Sequence, residues 1–140
     1  MVCFPPQFWL ILNTTNFIDP FRMRANKFQK TAITALEDIK ARDITVLDVR
    51  KLTSLYDTLI IATAESSRQV GALARHVRDS LKAAGAIIVG VEGEASGEWV
   101  LVDASSIVVH IMQPAVRAYY NLEELWTPPA PRRRSRPVAA

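Results

Sequence analysis

Thr58-Leu-Ile-Ile-Ala-Thr-Ala64, followed at once by Ser66-Ser-Arg-Gln69, decides the fold. The first segment is a continuous apolar run. A strand that is apolar on both sides is usually buried on both sides, so it belongs in the middle of a sheet. The second segment has the form of a capping box, in which Ser66 accepts the backbone N–H of Gln69 and the Gln69 side chain reaches back. Val70, Leu73, Ala74, Val77 and Leu81 then recur at helical spacing. Lys82 sits in the last turn, and Gly85 can adopt the left-handed conformation that closes a helix. A helix over 67–84 follows.

Upstream of this unit, Phe28, Ala32, Ala35, Leu36 and Ile39 form one apolar stripe, which predicts a helix over 27–42. Ile44 to Val49 is rich in β-branched residues and reads as a strand. Downstream, Ala86 to Val91 reads as a strand and Glu92 to Glu98 as a polar, mobile loop marked by Gly93 and Gly97. Trp99–Asp103 and Ile107–Met112 then form a hairpin joined by Ala104-Ser-Ser106. Pro114 ends the last strand and is suited to open a helical turn. Asn121 is placed to cap a final helix over Leu122–Trp126, which Pro128 and Pro129 stop. The order is α-β-β-α-β-β-β-α, an α/β chain. Two of the connections are too short for crossovers, so the sheet is mixed, with helices packed on it.

The chain of 140 residues suits one domain with tails. The expected division is an irregular extension over 1–25, a domain over 26–126 and a disordered Pro/Arg tail over 127–140. The net charge of +3 is carried by that tail, which holds Arg132, Arg133, Arg134 and Arg136; the remainder has 13 basic and 14 acidic side chains. On that average, the domain is not a basic nucleic-acid platform. The single cysteine, Cys3, excludes an intramolecular disulfide and fits a reducing compartment. Phe8-Trp-Leu-Ile-Leu12 is too short to span a bilayer, which takes about 20 apolar residues. No basic region precedes it, so no signal peptide is expected, and Met23 is a second candidate start. A cytoplasmic protein without membrane association is the expectation.

Three stretches resemble the Iojap-like ribosomal silencing factors. They are Leu55-Tyr-Asp-Thr-Leu-Ile-Ile-Ala62 with Ser67-Arg-Gln-Val70 and His76-Val77; Glu92-Gly93 with Trp99-Val-Leu-Val-Asp103 and Ile107-Val-Val-His-Ile111; and Arg117-Ala-Tyr-Tyr-Asn-Leu-Glu-Glu-Leu-Trp126. The resemblance runs over roughly 28–126 in order and spacing. Two turns depart from the family pattern. Ala64-Glu65-Ser66-Ser67 stands where the family commonly has a glycine-serine turn, and Ala104-Ser105-Ser106 where it commonly has aromatic-glycine-aspartate. The resemblance implies a nucleotidyltransferase-like fold without that chemistry, and a translational repressor that hinders joining of the ribosomal subunits. It implies binding to the large subunit through the universal ribosomal protein numbered fourteen, and a homodimer.

The residues themselves are read against the rival class, an active metal-dependent nucleotidyltransferase. That reaction needs metal ions held by paired carboxylates, typically Asp-x-Asp on one strand face. Asp48 is followed by Val49 and Arg50, and Asp57 and Asp103 stand alone on their strands. Glu92 and Glu94 lie in the glycine-marked loop. No catalytic residue, cofactor or metal ligand is assigned. The serines at the helix start are explained by self-capping, His110 as a hydrogen-bonded structural histidine, and Glu123-Glu124 as a solvated helix face. Trp99, Leu101 and Asp103 share one strand face. Trp99 is either a core tryptophan or an exposed anchor for the ribosomal protein. With Leu101, Asp103, Tyr119 and Tyr120 it makes the candidate partner-binding set. Of the neighbouring tyrosines, one is expected in the core and one exposed. The Arg tail either touches ribosomal RNA phosphates non-specifically or serves only solubility. Because residues 127–140 have no apolar periodicity, their deletion is expected to leave the melting temperature within a degree or two, as checked by calorimetry.

Overall fold

The computed structural model describes residues 20–126. The expectations for 1–19 and for the Pro/Arg tail lie outside the described residues. Nine elements follow one another: α1 (Pro20–Asp38), β1 (Arg42–Asp48), β2 (Thr58–Thr63), α2 (Ser67–Ala83), β3 (Gly90–Glu92), β4 (Trp99–Asp103), β5 (Ile107–Met112), α3 (Pro114–Tyr120) and α4 (Leu122–Trp126). The strands form one mixed sheet in the order β1-β2-β5-β4-β3. β2 and β5 run parallel at its centre, in register from Thr58–Ile107 to Thr63–Met112, and the other pairs are antiparallel. The parallel pair needs a long crossover, and α2 lies within it.

All six residues of β2 are buried. Ile60 and Ala62 point into a core shared with Ala32, Ala35 and Leu36 of α1 and Val70, Leu73, Val77 and Leu81 of α2. Leu59 and Ile61 point the other way, into a smaller cluster with Val49, Val108 and Met112 that Val116, Leu122 and Trp126 partly cover. The molecule therefore has three layers: a helix pair, the sheet, and the short α3–α4 segment. Each fully buried aliphatic side chain contributes about 1.5–3 kcal/mol, so the two clusters are the main source of stability.

The first helix starts earlier and ends earlier than its apolar stripe predicts. Residues 20–25, expected in the irregular extension, are helical, and Arg22, Met23 and Arg24 among them are exposed. At the other end Lys40 takes a left-handed conformation (φ 57°). The Ala41 N–H then reaches the Leu36 carbonyl at 2.9 Å and the Lys40 N–H the Glu37 carbonyl at 2.9 Å, a Schellman closure. α2 closes in the same way at Gly85, as its sequence suggests.

β1 begins at Arg42 rather than Ile44, with a bulge between Arg42 and Thr45 where Asp43 has φ 48°. β3 is much shorter than the apolar run Ala86–Val91. Only Gly90–Glu92 pairs with β4, and Ile87 and Val89 are exposed, so most of that run is not strand. The single terminal helix is two. Asn121 (φ 44°, ψ 55°) closes α3 instead of capping α4 with its side chain; its N–H donates to the Arg117 carbonyl at 3.0 Å. Asparagine tolerates this left-handed conformation, which lets the chain turn between the helices.

Ser66 caps α2 as expected, its Oγ accepting the Gln69 N–H at 3.1 Å. The Gln69 side chain reaches back past the cap residue to its neighbour. Its Oε1 accepts the Glu65 N–H at 2.8 Å, and its Nε2 donates to the carbonyls of Ile39 at 3.0 Å and Lys40 at 3.1 Å. One side chain thus joins the start of α2 to the end of α1. Replacing Gln69 by Ala is expected to lower stability by about 1–3 kcal/mol, measured by denaturant unfolding, because a cap and two carbonyl partners are lost together.

Candidate functional site

β4 alternates. Val100 and Val102 are buried under the helices, while Trp99, Leu101 and Asp103 face the opposite side and are half-exposed. Their β5 neighbours on that side are Met112, His110 and Val108. Trp99 fits neither of the two sequence readings alone. Its ring packs against the second core cluster, yet it stays partly open, and its indole Nε1 donates to His110 Nδ1 at 3.0 Å. An indole N–H only donates, so Nδ1 must accept and His110 is the neutral tautomer with its proton on Nε2. Burial pushes the His110 pKa down to about 4. Charging it would also place a proton on Nδ1 and break the bond to Trp99.

Tyr120 packs against Trp99 with the rings tilted by 46° and centroids 5.0 Å apart, and Tyr119 meets Tyr120 edge-on at 5.0 Å. The expectation that one tyrosine enters the core is wrong: Tyr119 is 82% exposed and Tyr120 52%. The inward side of α3 is taken by Val116 and Arg117, which leaves both tyrosines outside. The structure thus brings Trp99, Tyr120 and Tyr119 into one continuous aromatic row.

Beyond Leu101 and Asp103 the same face opens into a groove of about 430 Å³, lined among others by Leu55, Tyr56, Val89, Leu101, Val108 and His110. Leu55 is 80% exposed and Val89 64%. These two and His110 were missed from the sequence as site residues. A leucine in a turn is the available signal for Leu55, whereas Val89 lies inside a run that reads as an apolar strand. At the groove's edge Asp103 Oδ1 accepts the Ser105 N–H at 3.0 Å, which fixes the hairpin tip. Burial raises the Tyr56 pKa, and the negative charge of Asp103 adds to the shift.

Arg117 holds α3 in place. Its guanidinium donates to Glu123 Oε1 at 2.6 and 2.9 Å, to Thr63 Oγ1 at 2.7 Å, to Thr45 Oγ1 at 2.9 Å and to the Asp43 carbonyl in the β1 bulge. Glu123 is therefore not part of a solvated face. Burial opposes its ionisation most strongly of any single cause, but the hydrogen bonds from Arg117, a backbone hydrogen bond and the Arg117 charge together outweigh it and hold the carboxyl below its ordinary value. Gln113 Nε2, just before α3, donates to Ser67 Oγ at 3.0 Å and to the Gly97 carbonyl at 3.1 Å. The 93–98 loop is thereby fastened to α2, and Gly93 (φ 87°) is needed because a Cβ there would collide with the Trp99 carbonyl. Asp48, a rival metal ligand, is hydrogen-bonded to Arg50. Among the described residues no group of three or more His, Cys, Asp or Glu side chains is placed to hold a metal ion, and no helix is long and apolar enough to cross a membrane.

An aromatic row thus stands beside an apolar, acid-edged groove on one face of the sheet. The chain belongs to the family described as "Ribosomal silencing factor during starvation", which matches residues 22–139. It is 59% identical over 104 residues to the ribosomal silencing factor RsfS of Chromobacterium violaceum, covering 74% of this chain and 85% of that protein. A crystal structure of a C. violaceum protein matches with a TM-score of 0.71 at 57% identity, covering 75% of this chain and 89% of the other. The mouse protein named "Mitochondrial assembly of ribosomal large subunit protein 1" is 33% identical over 98 residues, which is 68% of this chain and 43% of that protein.

The pKa of His110 makes stability depend on pH. Its folded value lies below the ordinary 6.5, so the unfolded chain takes up a proton first as pH falls. This contribution is fully present above pH 6.5, is lost between 6.5 and about 4, and amounts to about 3 kcal/mol at most. Urea unfolding of wild type and His110→Gln across this window checks it: the variant is expected to show the shallower decline.

Proposed function

We propose that this protein is a cytoplasmic translational repressor that binds the large ribosomal subunit through the sheet face bearing Trp99, Leu101 and Asp103, and blocks subunit joining by occupying the interface. The observation that carries the reading is the row Trp99–Tyr120–Tyr119 beside the open groove of Leu55, Val89 and Leu101. Exposed aromatics and aliphatics held by a rigid scaffold are where interfaces concentrate their energy. Family membership supports the ribosomal destination, and the name of the mouse relative supports the large subunit.

The universal ribosomal protein numbered fourteen is the partner that the family resemblance implies. Charge fits a basic partner. Outside α1 and α2 the described residues carry ten acidic and five basic side chains, and Asp103 lies on the groove's edge. An acidic face steers a basic protein and orients it more than it adds affinity. Silencing by this route involves no bond-making step, only occupancy of the surface.

Leu55→Asp and Tyr119→Ala test the surface without disturbing the core. Both side chains are largely exposed, so stability is expected to stay within about 0.5 kcal/mol. Each variant is expected to bind purified large subunits at least about tenfold more weakly in co-sedimentation, a loss of about 1.4 kcal/mol, and to relieve inhibition of subunit joining in proportion. Trp99→Ala is expected to lose about 2 kcal/mol of binding and some stability as well, because Trp99 also bonds His110. Wild-type binding by both exposed variants would remove this face from the site.

A further inference from the structure

The near-neutral domain is electrically two-sided. α1 and α2 carry eight basic and three acidic side chains, a net charge of +5, and the rest of the described residues carry −5. The two helices lie on the face of the sheet opposite the groove. At about 100° per residue, Arg68, Arg75, Arg78 and Lys82 fall within about 80° of one another on the outer side of α2. They run for about 21 Å along the helix. The helices are antiparallel, since Gln69 at the start of α2 bonds the end of α1. The first turns of α1 therefore lie beside the end of α2, where Arg24 and Lys27 line a cleft with Ala84 and Gly85.

Of these charges, helix stability accounts for Lys82, which sits in the last turn of α2 where the helix dipole favours a cation, but not for those at the helix starts. Neither helix has an acidic residue in its first turn. Arg22 and Arg24 near the start of α1, and Arg68 at the start of α2, sit where the helix dipole disfavours cations. Glu37 and Asp38 sit at the end of α1, where it disfavours anions. Two of the three acids are engaged locally, Asp38 with His76 at 3.0 Å and Asp79 with Arg78 at 3.1 Å. Among the described residues no carboxylate forms a salt bridge with Arg22, Arg24, Lys27, Lys30, Arg68, Arg75 or Lys82.

We propose that the outer face of α1–α2 is a second docking surface, which lies against the phosphate backbone of an RNA double helix. Its chemistry favours that occupant over others. A membrane-lying helix needs apolar side chains free to insert, and those of α2 are buried in the core. A protein interface needs aromatic or aliphatic anchors, and the basic stripe of α2 contains none. Phosphates need only a positive, hydrogen-bonding row, and duplex RNA is read mainly by shape and backbone. The inference stands on a different face from the groove. A test with isolated RNA separates its failure from failure of the proposed ribosomal-protein contact.

The full-length chain is titrated into a labelled RNA duplex of about 20 base pairs of arbitrary sequence, from about 50 to 200 mM salt, with anisotropy as the readout. The triple variant R68Q/R75Q/K82Q is expected to bind at least about tenfold more weakly at the low salt. Its log–log salt slope is expected to be shallower by about 2–3, since each lost phosphate contact removes about 0.9. R68K/R75K, which keeps the charge, is expected to bind like wild type. Melting of the triple variant is expected to be unchanged, because loss of the disfavoured cation at the start of α2 offsets loss of the favoured Lys82 at its end. The same loss is expected in a chain lacking residues 127–140, which removes the arginine tail as the source. Equal binding by the triple variant, or binding that disappears with the tail alone, overturns the proposal.

Discussion

β2 is buried on both faces along its whole length, and the other layers answer to that condition. A strand with Ile60 and Ala62 on one side and Leu59 and Ile61 on the other needs an apolar layer above and another below. α1 and α2 supply the first from two strongly amphipathic segments. The second comes from Val116, Leu122 and Trp126 of the short terminal helices, which cover only part of it. The uncovered remainder is the groove. The candidate binding surface is thus the part of the sheet's second face that the chain has too little apolar helix to close.

Because α3 and α4 are short and contain no fully buried residue, burial alone does not hold them. Arg117 does so with polar bonds to two threonines, a bulge carbonyl and Glu123. Removing one partner from such a half-buried ion pair costs more than the pair gains in isolation, so the cluster acts as a positional lock more than as a source of stability. The lock has a consequence for binding. With the inward side of α3 occupied, Tyr119 and Tyr120 turn outward onto Trp99, and Trp99 is steadied by His110. An aromatic row fixed in advance loses little conformational entropy when a partner arrives.

Charge follows the same layering. The sheet and terminal helices are acidic and the α1–α2 layer is basic, so an average near zero conceals two opposite surfaces. A rigid three-layer body with oppositely charged faces can meet a basic protein on one side and a polyanion on the other. The sequence average argued against a nucleic-acid surface only because it summed residues that the fold separates.

Patterns of local origin were legible in the sequence. α2 and its Ser66 cap, the doubly buried β2, the β4–β5 hairpin and the shared face of Trp99, Leu101 and Asp103 all rest on residues within one element or one turn. Helical and strand periodicity encode these directly. Other features needed the tertiary structure. The early start of α1, with Arg22, Met23 and Arg24 exposed, lies outside the apolar stripe that marks the rest of the helix. The shortening of β3 depends on where β4 stops pairing, and the outward turn of both tyrosines depends on Arg117 reaching residues more than fifty positions away. Leu55, Val89 and His110 become one groove only when β2, β3 and β5 are assembled on the same sheet. A one-dimensional pattern reports which way a side chain faces within its own element; which neighbour it meets there is set by long-range pairing.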